Sequence, residues 1–347
     1  MPIDTPITRL LGVKTPVVSA PMAGASGGAL AAQVTAGGAF GFLAAGYKSA
    51  ESLIDEISLA RRILQLSSSE LLPIGVGYLG WQLEKSTAKP EAMLSAALDN
   101  HIQAIWLAFG NNLGQWIKFI RDYDAQHKRS RSTIVFVQVS SVEEALVAIH
   151  DWKVDVLVAQ GNESGGHGHR SAPPLLTLVP SLLAVTPKDG PPLLAAGGLV
   201  TGGQVASLLV LGASGAVLGT RFLATPESQY TDVQKKALVA ARSDATVRTL
   251  AFDRARGTLD WPTGVDGRGL YNSTVKDLDS GVDVEIVKAK FNEGVRNGDT
   301  DRILVWSGAG VGLISEIKGA KDIVQELHED IVKCLQVASG LCNDKRE

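Results

Sequence analysis

Eight short apolar runs, each followed by a stretch long enough for a helical return, constrain this chain more than any other feature. They lie at Val17–Ala20, Gly41–Ala45, Ile74–Tyr78, Ala104–Phe109, Ile134–Val139, Val154–Ala159, Leu193–Ala196 and Ala216–Leu218. Runs this short, bounded by turn residues, read as strands buried on both faces. Helical stretches are expected between them at Ser49–Gln65, Pro90–Asn100, Leu113–Gln126, Val142–Trp152 and Gly203–Leu211. Pro90 suits a first helical turn, where its missing N–H costs nothing. Strand–helix alternation predicts an α/β fold with a parallel sheet. Eight units make up a TIM (β/α)8 barrel. An open doubly wound sheet shares this periodicity, and closure alone separates the two.

The unit pattern stops after Gly219-Thr220-Arg221-Phe222. From Leu223 to about Asp283 the chain is polar, with Trp261, Pro262, Tyr271 and several glycines in loop-like surroundings. This reads as a smaller lobe or lid inserted after strand 8, over the barrel mouth. The expected division is a barrel domain at 1–222, a substrate-side lobe at 223–285 and a C-terminal segment at 286–347 that returns to close the barrel. That last segment holds Val305-Trp306-Ser307-Gly308 and an amphipathic stretch, Ala320–Val337, suited to the final outer helix.

The 347 residues, 45% hydrophobic and 20% charged, are enough to bury a large core. A net charge of −3 provides no basic footprint, so nucleic acid is not an expected partner. No run approaches the roughly 18 apolar residues of a membrane span. Cys334 and Cys342 cluster near the end and cannot frame a disulfide scaffold, which fits a reducing compartment. The start lacks a basic region followed by an apolar stretch, so a cytoplasmic location is expected. Nothing in the pattern distinguishes a monomer from a homodimer.

The richest segment is Gln160-Gly161-Asn162-Glu163-Ser164-Gly165-Gly166-His167, which follows the sixth run. It reads as a loop at the barrel mouth, where ligands bind in this fold. Glycines let backbone approach a flat ligand, and an imidazole exchanges protons near neutral pH. Two further glycine elements, Ala195-Ala196-Gly197-Gly198 and Leu218-Gly219-Thr220-Arg221, follow the seventh and eighth strands. Exposed backbone N–H groups there suit a phosphate. After the first strand, Ala20-Pro21-Met22 could lie against an aromatic ring system or could be a turn with a core methionine. Gln138 and Gln160 end the fifth and sixth strands, and each could bond a heterocycle or cap loop backbone. His167 is preferred over His169 as an acid, base or orienting group. Their His-x-His spacing has no companion Asp, Glu or Cys cluster, so no metal is expected. Phe109, His169, Trp306 and Ser307 are substrate-side candidates.

These motifs together resemble the nitronate monooxygenases, formerly called 2-nitropropane dioxygenases. The resemblance runs over nearly the whole chain. Trp261-Pro262 with Gly267-Arg268-Gly269-Leu270-x-Asn272 is similar to fungal-type members. It implies a TIM barrel holding non-covalent FMN, its phosphate on Gly197, Gly198, Gly219 and Thr220, and its ring bordered by Ala20, Pro21 and Met22. Gln138 takes the position where relatives place a Gln or Lys near the flavin's pyrimidine end; Gly77, Gln160, Gly165 and Gly166 complete the expected cofactor contacts. His167 matches the family histidine regarded as the base for neutral nitroalkanes. The implied reaction passes an electron from a nitronate such as propionate 3-nitronate to FMN, and dioxygen reoxidises the semiquinone. Carbonyl compound and nitrite result, without nicotinamide. An NAD(P)H-dependent flavin reductase acting on quinones or enoyl thioesters on the same barrel is the alternative. Two departures stand out: Ala108 replaces the second histidine of many bacterial relatives, and Gly77 replaces a common asparagine.

Overall fold

The computed structural model describes residues 2–85, 89–129 and 131–341. Its strands are β1 (Val17–Ser19), β2 (Gly41–Ala44), β3 (Leu72–Leu79), β4 (Ile102–Ala108), β5 (Ile134–Val139) and β6 (Val156–Gln160). They continue with β7 (Gly166–His169), β8 (Leu193–Ala196), β9 (Gly215–Leu218), β10 (Thr246–Thr249) and β11 (Val265–Leu270). Eight form one parallel sheet in the order β1-β9-β8-β6-β5-β4-β3-β2. Its two edges meet through a parallel bridge between Val18 and Phe40. There Ser19 N donates to Phe40 O and Phe40 N to Val17 O, both at 3.0 Å. The sheet therefore curls into a barrel, and the open doubly wound alternative is excluded. All eight predicted strands are present.

The lumen is packed. Phe40, Phe42, Trp106 and Phe136 fill it, with Phe40 and Trp106 stacked on Phe136 at 6.4 and 5.9 Å between centroids. Fully burying each phenylalanine stabilises the fold by roughly 1.5–3 kcal/mol. Ile7 and Leu11 of the Pro6–Leu11 helix belong to the same apolar cluster. Gln103 Nε2 donates to Leu11 O at 3.2 Å, tying that helix to the start of β4. With the lumen filled and this helix packed on it, room for a ligand remains at the C-terminal ends of the strands.

Over that end lies the lobe, whose sheet runs β10-β11-β7, all antiparallel. The structure corrects the sequence reading here. Gly166–His169, expected as loop, is strand β7, paired with β11 in the register Gly267 to His167 and Val265 to His169. Gly-His-Gly-His carries no apolar alternation, and its partner lies about a hundred residues away, so local pattern could not find it. For the same reason Gly267 and Gly269, read as loop glycines, lie in β11. Helices Ala251–Arg256, Ser273–Asp279 and Val284–Asn297 pack beside this sheet around Phe252, Val275, Val287 and Phe291. Ala320–Gly340 packs outside the barrel against the Gly202–Val210 and Gly28–Ala36 helices. Cys342 falls outside the described residues. Among the described residues no helix is long and apolar enough to cross a membrane.

Candidate active site

A cavity of about 830 Å³ opens between the strand ends and the lobe. That volume suits a ligand of cofactor size. Its barrel side is mostly backbone and small residues. Gly197 has φ 141° and Gly198 φ 65°, conformations open to glycine at little cost. A Cβ at Gly198 would meet Glu163 Cβ at 3.0 Å. The Glu163 carboxylate accepts from Leu175 N at 3.0 Å and so caps the Leu175–Val185 helix. Thr220 Oγ1 accepts from Gly308 N at 2.9 Å, and Ala309 N donates to Glu163 O at 2.9 Å, so the Gly308–Ala309 segment ties the Thr220 turn to the Glu163 loop.

Beside these turns sits Ser164, 5% exposed, its Oγ buried without a hydrogen-bond partner on the protein. Buried hydroxyls ordinarily find partners; this one lies beneath β7, 3.0 Å from where a Cβ on Gly168 would stand. Ser164 N stands 3.2 Å from where a Cβ on Gly197 would lie, which places this hydroxyl's residue at the same turn.

The two glutamines form a relay. Gln138 Nε2 donates to Gln160 Oε1 at 2.9 Å, and Gln160 Nε2 donates to the His167 carbonyl at 3.1 Å. Gln160 thus holds the backbone of β7, while Gln138 Oε1 has no protein partner among the described residues. Ala20, Pro21, Met22 and Gly77 line the wall after β1 and within β3. At Gly77 any side chain would collide with the Pro21 ring, so the missing asparagine is replaced by close packing. Gly165 is crossed by the Ser307–Gly308 backbone where its Cβ would stand.

His167 is the ionisable centre of the lobe side. Its side chain is 8% exposed, and Nε2 lies 3.0 and 3.1 Å from the two carboxylate oxygens of Asp253, itself fully buried. Thr258 Oγ1 donates to Asp253 Oδ1 at 2.9 Å. The imidazole stacks on Trp261 at 3.6 Å between centroids and 13° between planes, and meets the Trp306 edge at 4.9 Å. Burial pushes its pKa below the ordinary imidazole value; Asp253 opposes this, and the Arg256 and Arg248 charges add to it. Arg248 clamps β7 from outside, Nη2 donating to Gly168 O at 2.7 Å and to Asp266 O at 2.9 Å. Tyr230 Oη accepts from Trp306 N at 3.0 Å, and burial raises its pKa, so it is a neutral phenol.

The sequence-selected residues divide cleanly. Every expected cofactor contact lines this one cavity, as do His167, Phe109 and Trp306. Phe109 is held at φ 58° with its ring edge-on to Trp261 at 5.4 Å. His169 is not on the wall; its Nδ1 is 3.0 Å from the Ser171 hydroxyl. Ser307 is fully buried behind the wall, its N donating to Arg268 O at 3.1 Å. Sequence reasoning missed Asp253, Tyr230 and Arg256, which come from lobe segments without a distinctive pattern. Trp261 was noticed, but not its stack on His167.

The family model for nitronate monooxygenase matches residues 4–330. The chain belongs to the nitronate monooxygenase family. It is 35% identical to nitronate monooxygenase npaC of Metarhizium robertsii, over 90% of both chains. It is 32% identical to the nitronate monooxygenase of Neurospora crassa, over 91% of this chain and 89% of that one. Among solved structures, nitroalkane oxidase from Streptomyces ansochromogenes matches with a TM-score of 0.78 and 27% identity, covering 96% of this chain and 99% of that one. FabK from Thermotoga maritima shares the fold at a TM-score of 0.76 and 24% identity, covering 98% and 99%. Membership in this family makes the chain a flavin-dependent oxidoreductase that acts on a small molecule with dioxygen.

Proposed function

We propose that this chain uses FMN to oxidise alkyl nitronates with dioxygen to a carbonyl compound and nitrite, with His167 converting neutral nitroalkanes into nitronates. The observation that carries this reading is that the His167 imidazole and the Gly197–Gly198 turn line one cavity. The residues fit FMN. Backbone N–H groups at Gly197, Gly198, Gly219 and Thr220 suit its phosphate, and a Cβ at Gly198 would fill the cradle against Glu163. Ala20, Pro21 and Met22 would border its ring system, with Gly77, Gly165 and Gly166 leaving room and the Gln138–Gln160 pair supplying amide contacts. When bound, the flavin takes electrons from the nitronate and passes them to dioxygen.

The protein's own contribution is position, dryness and one proton. Phe109, Trp261 and Trp306 wall the substrate side with aromatic surface that excludes water. His167, neutral because burial lowers its pKa, accepts the α-proton of a nitroalkane. Arg256 lines the cavity without an ion-pair partner among the described residues and favours anionic substrates. In this reading 1–222 is the cofactor-binding barrel, with Gly166–His169 lent to the lobe sheet, 223–285 is the substrate-side lobe, and 286–347 returns to the barrel wall once the Val284–Asn297 helix has packed in the lobe, in a cytoplasmic protein.

An anaerobic absorbance titration tests the assignment. Purified protein is expected to be yellow, to change its flavin spectrum with propionate 3-nitronate, and to consume oxygen without NAD(P)H. Oxygen consumption only after NAD(P)H is added would make the chain a reductase on the same barrel. Protein that stays colourless after incubation with excess FMN would remove the cofactor assignment.

A further inference from the structure

We infer that Asp253 is the positioning residue that fixes His167 as its Nε2–H tautomer, so that Nδ1 is the atom that takes the substrate proton. The inference rests on the reading of His167 as a base and adds the atom and its partner.

An ionised carboxylate only accepts hydrogen bonds. Both Asp253 oxygens lie within 3.1 Å of Nε2, so Nε2 must carry a proton and donate. In a neutral imidazole the lone pair then belongs to Nδ1. The pair is built rather than incidental. Asp253 is fully buried, Thr258 Oγ1 donates to its Oδ1, and Thr258 N donates to its carbonyl at 2.9 Å. The stack on Trp261 and the edge contact with Trp306 restrict rotation of the ring. The charges near the imidazole are Asp253 from its own helix, Arg256 at that helix's end and Arg248 from β10. Only Asp253 touches the ring. When the α-C–H bond of a nitroalkane breaks, its electron pair forms the C=N bond of the nitronate and the proton bonds to Nδ1. The resulting imidazolium keeps its Nε2–H on Asp253, which stabilises the new positive charge.

Asn in place of Asp253 tests this. Thr258 donates to Oδ1, so the amide oxygen of Asp253→Asn is held there and the NH2 stands where Oδ2 was, 3.1 Å from Nε2. That NH2 donates to Nε2 and drives the ring proton onto Nδ1, the wrong tautomer. Nitrogen NMR of histidine-labelled protein reads the tautomer directly, with or without flavin, and His167→Asn assigns the signal among the six histidines. The wild type is expected to show protonated Nε2 and bare Nδ1, and Asp253→Asn the reverse. Nitroalkane oxidation should fall by about 10²-fold or more in Asp253→Asn. Oxidation of pre-formed nitronate should stay within a few-fold and control for folding. Protonated Nδ1 in the wild type, or equal losses on both substrates, would overturn the inference. If His167→Asn loses nitroalkane activity selectively and Asp253→Asn does not, Asp253 has no such role and the base reading stands. If His167→Asn itself spares nitroalkanes, the base reading fails and this inference with it.

Discussion

The two sides of the cavity are made of different material. The barrel side, from Pro21 through Gly77 to Gly197, Gly198 and Gly219, presents mostly backbone and small residues, with Met22, Gln138 and Gln160 among them. The lobe side presents His167, Trp261, Trp306 and Tyr230, side chains held by partners that include Asp253 on His167 and Phe109 on Trp261. Backbone from eight strands is rigid and cannot be altered by one substitution except through steric filling. Side chains from the lobe are replaceable one by one, and their orientation depends on contacts such as Asp253 with His167. The cofactor half is therefore expected to respond as a unit, and the chemical half selectively.

Filling the cradle should give the largest effect. Gly198→Val puts a β-branched residue at φ 65° and against Glu163. Backbone strain of about 1–3 kcal/mol plus the clash should release the flavin. Gel filtration followed by absorbance should find it colourless, with activity on every substrate lost together. Retained colour with a selective loss on nitroalkanes would erase the distinction between the two sides.

His167→Asn should lower nitroalkane oxidation by about 10²-fold or more and spare pre-formed nitronate. Parallel oxygen-electrode assays decide it, because equal losses would turn His167 into a binding residue.

The pH response follows from the same group. The folded protein binds the His167 proton less tightly than the unfolded chain, whose histidine titrates near the ordinary value of about 6.5. Its contribution to stability is thus fully present above that value and lost as pH falls towards the depressed folded one. Nitroalkane kcat/KM should be flat through neutrality and decline only below the ordinary histidine range. Urea midpoints should decline over the same interval in the wild type and less in His167→Asn. A nitroalkane profile still rising above pH 7 would contradict the sign.

Trp261→Leu should have a smaller effect. Losing the ring stack removes about 0.5–1.5 kcal/mol, or roughly a two- to tenfold loss confined to nitroalkanes. Smallest is Arg256→Gln, expected to raise KM for anionic nitronates at low ionic strength and to lose that effect in high salt. A salt-independent change in kcat would assign Arg256 to the chemistry instead.

The sequence was most legible where local pattern and tertiary role coincide. Every barrel strand was visible because a strand covered on both faces must be apolar along its length. Gly197-Gly198 and Gly219-Thr220 were visible because a backbone cradle is written in the residues that lack side chains. Strand β7 was not visible, since Gly-His-Gly-His has neither β-branched residues nor alternation and owes its extended form to β11. Nor was Asp253: nothing in Phe252-Asp253-Arg254 marks one carboxylate as different from the other acidic residues.

By itself the sequence determined the eight strand–helix units, the glycine turns that end the last two barrel strands and the identity of His167 as the group of interest. These follow from periodicity and residue type, which are local. Closure into a barrel was decided by the Val18–Phe40 bridge. Only the tertiary structure decided which nitrogen of that imidazole is held, what covers it and which candidates miss the cavity. Ser307 and His169 were set aside, and Asp253, Thr258, Tyr230 and Arg256 brought in, by segments that meet only after the lobe folds over the barrel. A hydrogen bond of about 3 Å between residues 86 positions apart is a fact about the folded chain's surfaces, and no spacing in the sequence encodes it.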